Sequence, residues 1–151
     1  MSTYIDTALF VKAYVLEADS AEAIAILETV GEPFVYSHLH ALEIPNAIRL
    51  KRFRGEITPA QETAALRVFK NDMDAGRFER IPYDLGAVFI RAEQLSARFS
   101  GELGTRSLDL WHVAAALEAG CTAFASYDAR QRRAATLCKL RLIPAKPVPA
   151  K

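Results

Sequence analysis

The chain has 151 residues, of which 51% are hydrophobic and 25% charged, a balance typical of one folded domain rather than a disordered segment. Its 19 basic and 18 acidic residues give a net charge of +1, so there is no protein-wide attraction for nucleic acid, and binding a polyanion would need a local basic patch or a metal ion. No apolar run approaches the roughly 20 residues that cross a bilayer, and the first residues lack the regions of a secretory signal, so we expect a cytoplasmic protein.

The first half of the chain predicts two short strands, each followed by helices. Ser20 is the expected N-cap of the second helix, and Gly31 ends it. Pro45 should disturb the next helix one turn past its start, whereas Thr58 and Pro59 form a good beginning for the one after. In order, the predicted ranges are a strand at 4–5, helices at 9–14 and 20–30, a strand at 34–36, and helices at 37–54 and 58–74.

The second half continues the alternation of strands and helices. Its predicted ranges are a strand at 78–82, a helix at 85–99, a loop at 100–105, a helix at 107–118, a strand at 122–126, a helix at 128–138 and a strand at 140–143. This order predicts an α/β fold with a central, mostly parallel sheet and helices on both faces. We expect a single domain over residues 1–143 and a proline-rich tail over 144–151.

Acidic residues fall at or near the ends of the predicted strands. Asp6 directly follows the first strand, and Asp128 follows a later one after two residues. Asp109 lies in the first turn of the helix that opens after Arg106, and Glu43 lies on the helix that leaves the second strand. Because ligands of open α/β sheets bind beyond the carboxyl ends of the strands, these side chains are candidates for one shared site.

Each carboxylate also has a purely structural alternative. Asp6, or the residue after it, could cap the first helix, and Asp109 could complement a helix dipole. Asp128 and Gln131 have the spacing of a capping box. Glu43 could be a solvated helix residue. If the carboxylates cluster, however, a cation must compensate them, because like charges at close range raise each other's pKa.

Oxygen donors without partner histidines or cysteines favour Mg²⁺ or Mn²⁺ over Zn²⁺, and such a site suits phosphoryl chemistry. The segments that carry these acids also contain recognisable motifs, at residues 4–9, 41–47, 106–116 and 124–128. The third reads Arg-Ser-Leu-Asp-Leu-Trp-His-Val-Ala-Ala-Ala and is the closest match. In order, spacing and apolar flanks, the motifs resemble the PIN-domain ribonucleases, and within them the VapC-type toxins of type II toxin–antitoxin systems.

The resemblance implies a PIN fold and a Mg²⁺- or Mn²⁺-dependent endoribonuclease that leaves 5′-phosphate and 3′-hydroxyl ends. It implies a homodimer that a cognate antitoxin holds inactive by covering the site. It also implies supporting polar roles for Thr7 and Ser126. The metal ligands that it implies, which are also the catalytic residues, are Asp6, Glu43, Asp109 and Asp128.

Two groups of basic residues are candidates for contacts with RNA or with an antitoxin. Arg49, Lys51 and Arg52 lie near the end of one predicted helix, where a solvated helix end explains them equally well. Arg106 and Arg130 neighbour Asp109 and Asp128 in the sequence, where simple charge balance is the alternative.

Other functions remain open from the sequence. One is a PIN-type RNA-processing nuclease without an antitoxin, and another is a non-catalytic PIN-fold binding module. A phosphatase forming an aspartyl-phosphate ranks low, because Ala8 stands where a second Asp is needed. We further expect His112 to be a hydrogen-bonded helix residue, Trp111 a core residue, and the two cysteines small buried thiols.

Overall fold

The structure is a computed structural model and describes residues 2–146. Its strands are β1 (Thr3–Ile5), β2 (Phe34–Val35), β3 (Phe78–Glu79), β4 (Ala123–Ala125) and β5 (Arg141–Ile143). Its helices are α1 (Thr7–Tyr14), α2 (Ser20–Val30), α3 (His38–Phe53), α4 (Pro59–Asp74), α5 (Leu85–Leu103), α6 (Ser107–Glu118) and α7 (Ala129–Leu137).

The described residues form two compact units. We call residues 2–6 together with 81–146 the terminal unit, and residues 7–80 the middle unit. The strands of each unit pair in parallel, and helices flank the strands. This confirms the predicted α/β class with a parallel central sheet. The boundary between a domain at 1–143 and a tail at 144–151 stays a prediction, and residues 147–151 of that tail lie outside the described residues.

The terminal unit is built on a three-stranded parallel sheet in the order β1-β4-β5. Strands β1 and β4 are completely buried, and their register pairs Ile5 with Ala125. Tyr4 stacks on Phe124 at 5.7 Å between ring centroids. Fully buried alanines at 114–116 of α6 let this helix pack closely on its neighbours. The ends of β1 and β4 and the first turns of α6 and α7 lie near one another, as their hydrogen bonds show.

The middle unit has an aromatic core around the short parallel pair of β2 and β3. Phe10 contacts Phe34 and Phe78 with ring-centroid distances of 5.5 and 5.2 Å, and Phe69 contacts Phe78 at 5.7 Å. These tilted and edge-on arrangements match the preferred geometry of aromatic pairs. Helices α1, α2, α3 and α4 pack around this core.

Helix boundaries agree with the sequence predictions at several caps and differ at others. Thr58 caps α4 in a capping box, and Gly31 ends α2 with φ of 77°, as predicted. Ser20 is not the N-cap of α2, since Asp19 holds that position and the Ser20 hydroxyl accepts a hydrogen bond from the Glu17 N–H. The predicted N-cap therefore lies one residue late.

Pro45 does not end α3, which continues from His38 to Phe53, and a bend at this residue stays a prediction. Proline removes the hydrogen bond to the carbonyl of residue 41, but Ala41 is exposed, so solvent can replace that bond. Helix α5 extends to Leu103, through most of the loop predicted at 100–105, and ends where Gly104 adopts a left-handed φ of 63°. In residues 2–146 no helix combines the length and apolar character that crossing a membrane requires.

Candidate active site

Asp6 and Ser126 meet where strands β1 and β4 end side by side. Because the register pairs Ile5 with Ala125, the next residue of each strand leaves the sheet at the same edge. The Asp6 N–H donates to the Ala125 carbonyl at 2.9 Å, and the Ser126 hydroxyl donates to Asp6 Oδ2 at 2.5 Å. Both side chains are buried. Parallel pairing therefore creates the first contact of the candidate site.

Asp128 is held against the same serine by its backbone. Its N–H donates to Ser126 Oγ at 3.0 Å. Its Oδ1 accepts hydrogen bonds from the N–H groups of Arg130 and Gln131, at 2.8 and 2.9 Å, as the N-cap of α7. The capping interaction considered from the sequence is thus present on the Asp128 side.

Gln131 joins Asp109 to this group. Its Nε2 donates to Asp109 Oδ1 at 3.2 Å, and its Oε1 lies 3.2 Å from Ser126 Oγ. Asp109 Oδ2 accepts from the Arg106 N–H at 3.0 Å, in the first turn of α6. Asp6, Ser126, Gln131 and Asp109 therefore form one continuous set of contacts at hydrogen-bonding distance, which we call the carboxylate network. The single Ser126 proton serves either Asp6 or Gln131 at one time.

The sequence prediction missed Gln131 as a site residue. Its spacing from Asp128 indicated only a capping box, in which the glutamine side chain returns to the N–H of the cap residue. Here that N–H binds Ser126, and the Gln131 side chain is buried toward Asp109. A sequence signal existed, namely a glutamine three residues after a candidate acid. That spacing allows the side chain either to return to the cap residue or to reach a residue elsewhere in the fold, and the sequence does not decide between these.

Glu43 and Thr7 contact each other in the middle unit. The Thr7 hydroxyl donates to Glu43 Oε2 at 2.6 Å. Both residues of this contact belong to the predicted set, and Thr7 directly follows Asp6 in the chain. That Glu43 shares a metal with the other three carboxylates stays a prediction.

The donor atoms fit a hard divalent cation by their chemistry. Each predicted ligand offers carboxylate oxygen, the donor that Mg²⁺ and Mn²⁺ prefer. Within residues 2–146, no salt bridge involves Asp109 or Asp128, so neither charge is neutralised by a lysine or arginine there. No group of three or more His, Cys, Asp or Glu side chains in the same residues is arranged so as to hold a metal ion.

The basic candidates divide into those with and those without acidic partners. Lys51 forms salt bridges with Glu17 at 2.6 Å and Glu56 at 2.9 Å, and Arg52 pairs with Glu62 at 3.0 Å. These two cations are therefore engaged within the middle unit. The structure describes no such pair, within residues 2–146, for the side chains of Arg49, Arg106 and Arg130.

The remaining sequence predictions concern packing. His112 is confirmed as a hydrogen-bonded core residue, with Nδ1 2.9 Å from the Tyr4 hydroxyl, and Trp111 is buried. Cys121 is buried and Cys138 half-buried. Burial raises the pKa of both thiols, which keeps them protonated near neutral pH.

One comparison with known proteins identifies a family for this chain. Among curated proteins, none was found that matches the sequence. A family model described as PIN domain matches residues 3–137, which include all the acidic residues of the candidate site. PIN domains are generally metal-dependent nucleases. Since the match covers most of the sequence, the chain belongs to the PIN-domain family.

Proposed function

We propose that this protein is a metal-dependent endoribonuclease that cleaves RNA phosphodiester bonds, with Mg²⁺ or Mn²⁺ as its cofactor. One observation carries the proposal: the carboxylate network links two of the family's motif acids, Asp6 and Asp109, through the neutral groups of Ser126 and Gln131. The neutral amide of Gln131 orients Asp109 without cancelling its charge, which leaves that charge available for a cation.

Each residue then has a defined part. Ser126 orients Asp6, backbone N–H groups orient Asp128, and Thr7 orients Glu43. The cation would be held by Asp6, Glu43, Asp109 and Asp128. When bound, it would supply a Lewis acid that activates water and balances charge on the phosphodiester. The guanidinium groups of Arg106 and Arg130, which neighbour two of these acids in sequence, would contact RNA phosphates.

The cleavage proposal is tested by incubating purified protein, freed of any co-purifying partner, with total cellular RNA and Mn²⁺ or Mg²⁺. Discrete cuts that EDTA abolishes, with 5′-phosphate ends, are the expected result. Asp6→Asn should lose about a thousandfold or more in rate. Asp74→Asn is the matched control, because Asp74 is exposed and pairs only with Lys70 among the contacts described in residues 2–146. Cleavage that survives in Asp6→Asn would contradict the proposed site.

Within this activity, we propose that the protein is a cytoplasmic, homodimeric toxin controlled by a cognate antitoxin. The support is the motif resemblance to VapC-type toxins. Induced expression should arrest growth, Asp6→Asn should not, and co-expression of a small gene adjacent to this one should restore growth. RNA cleavage without growth arrest would point instead to an RNA-processing PIN nuclease.

A further inference from the structure

We propose that Gln131 is a positioning residue of the carboxylate site, which holds Asp109 in the orientation that binds a divalent cation. The inference rests on the proposed function and deepens it, since it adds a residue outside the predicted ligand set. Gln131 is buried and contacts both Ser126 Oγ and Asp109 Oδ1, each at 3.2 Å. It is the link that joins the β4 end of the carboxylate network to helix α6.

The chemistry of the neighbours decides which way the amide faces. An ionised carboxylate can only accept hydrogen bonds, so the amide nitrogen must face Asp109 and the amide oxygen must face Ser126. A carboxylate or an ammonium group in place of the amide would lack one of these two functions and add a charge, and a hydroxyl would have to serve both partners from a single oxygen atom. Glutamine therefore supplies a donor and an acceptor to two different residues while it stays neutral.

The acceptor side of Gln131 also matters for Asp6. Ser126 has one hydroxyl proton, and its oxygen already accepts the Asp128 N–H at 3.0 Å. That proton lies within reach of Asp6 Oδ2, at 2.5 Å, and of Gln131 Oε1, at 3.2 Å. If Asp6 gives Oδ2 to a cation, the Ser126 proton still has an acceptor in Gln131. The Ser126 proton therefore has an acceptor in either case, Asp6 without the cation and Gln131 with it.

A second glutamine in the chain shows that this role is not simply helix capping. Gln61 holds the third position of α4, as Gln131 does in α7, and its Oε1 accepts the N–H of the cap residue Thr58 at 2.8 Å. Gln61 is exposed, and its contacts are local. Gln131 occupies the equivalent position but reaches a residue 22 positions away. Gln61 is therefore a matched control.

The test is the affinity for Mn²⁺, measured by titrating the metal and following the electron paramagnetic resonance signal of the free ion. Gln131→Met keeps side-chain length and helix propensity but removes both polar contacts. It should weaken Mn²⁺ binding about 10- to 100-fold, as removal of groups that orient metal ligands typically does. Gln61→Met should leave the affinity unchanged. Thermal unfolding of both variants without metal separates this effect from stability.

Each outcome decides the inference. Mn²⁺ affinity in Gln131→Met within twofold of the unmodified protein would overturn the role of Gln131 and leave the proposed function standing. No Mn²⁺ binding by the unmodified protein would remove the metal from the proposed function, and this inference with it. Should Gln131→Met fail to fold, Gln131→Asn retains the amide but is one methylene too short to reach both partners. It should weaken binding, and unchanged affinity in that variant would equally overturn the inference.

Discussion

The two units of the molecule use their charged residues differently. The middle unit contains nine basic and eleven acidic residues, and the terminal unit, over its described residues, contains nine basic and seven acidic. In the middle unit, carboxylates such as Glu17 and Asp72 are bound by lysine or arginine. In the terminal unit, Asp109 and Asp128 are bound by an amide and by backbone N–H groups.

This difference separates charge that supports folding from charge that remains available for binding. A salt bridge orients a carboxylate and also neutralises it, whereas a neutral donor only orients it. Asp109 and Asp128 therefore keep their charge available for binding, whereas the salt-bridged carboxylates of the middle unit support the fold. Substitutions that remove a charge at the proposed metal ligands should consequently affect activity, and those that remove a salt bridge of the middle unit should affect stability.

After that of Asp6→Asn, the largest expected effect is that of Asp128→Asn on catalysis. Asparagine is as good an N-cap as aspartate, so helix α7 should keep its stability. The loss of charge at the proposed metal site should nevertheless reduce RNA cleavage about a hundredfold or more. Single-turnover cleavage and urea unfolding of the same preparation measure the two quantities.

Asp84 provides the control for that substitution. It caps helix α5 in the same unit and accepts the Ala87 N–H at 3.1 Å. Asp84→Asn should change neither cleavage nor stability. If Asp128→Asn also changed neither cleavage nor stability, Asp128 would be only a helix cap and would not be a metal ligand.

Ser126→Ala should have the next largest effect. The hydroxyl is fully buried and contacts Asp6, Gln131 and the Asp128 N–H. Its removal leaves buried polar groups without a partner, at a cost of about 1–3 kcal/mol in unfolding free energy. Cleavage should fall about 10- to 100-fold through misorientation of Asp6. Ser96→Ala, at an exposed position of α5, serves as the comparison in both assays, and equal effects at the two sites would remove Ser126 from the network.

Arg132 tests whether a buried arginine side chain stabilises the fold of the terminal unit. Its buried guanidinium donates to the carbonyls of Ser126 and Pro144 at 2.9 and 2.8 Å, and burial lowers its pKa. Arg132→Met should lower the unfolding free energy by about 2 kcal/mol, because the Ser126 carbonyl loses its donor. The adjacent Arg133 is exposed, so Arg133→Met should change the unfolding free energy by less than about 0.5 kcal/mol. Similar losses in the two variants would show that the contact contributes nothing.

Glu17→Gln should have the smallest effect, and only on stability. Burial opposes ionisation of Glu17, but hydrogen bonds from Lys12 and Lys51 outweigh it, so its pKa lies below the ordinary value of 4.5. The substitution should cost about 1 kcal/mol near neutral pH and leave cleavage unchanged.

The pH dependence of that effect has a defined sign. Because the pKa of Glu17 is depressed in the folded state, its stabilisation is complete above the ordinary pKa and is lost as the pH falls through the folded-state value. Urea midpoints of the two proteins should therefore converge as the pH drops below about 4.5. A difference that stays constant down to the lowest pH would contradict the salt-bridge explanation.

Much of the fold followed from local patterns. The order of strands and helices, the parallel pairing, the cap at Thr58 and the stop at Gly31 were all predicted, because periodicity and capping chemistry act within a few residues. The predicted loop at 100–105 failed because a glycine within an amphipathic pattern does not by itself end a helix. The fully buried strands and the acids that follow them were likewise evident from the sequence.

The partners of the site residues were decided by tertiary structure. Asp128 and Gln131 have the spacing of a capping box, as do Thr58 and Gln61, yet only the second pair completes one. The reason is that the end of β4 places Ser126 where it takes the Asp128 N–H, which frees the Gln131 side chain for Asp109. Sequence spacing determines which atoms can meet within one helical turn. Which of those atoms are already bound depends on contacts that only the folded chain brings together.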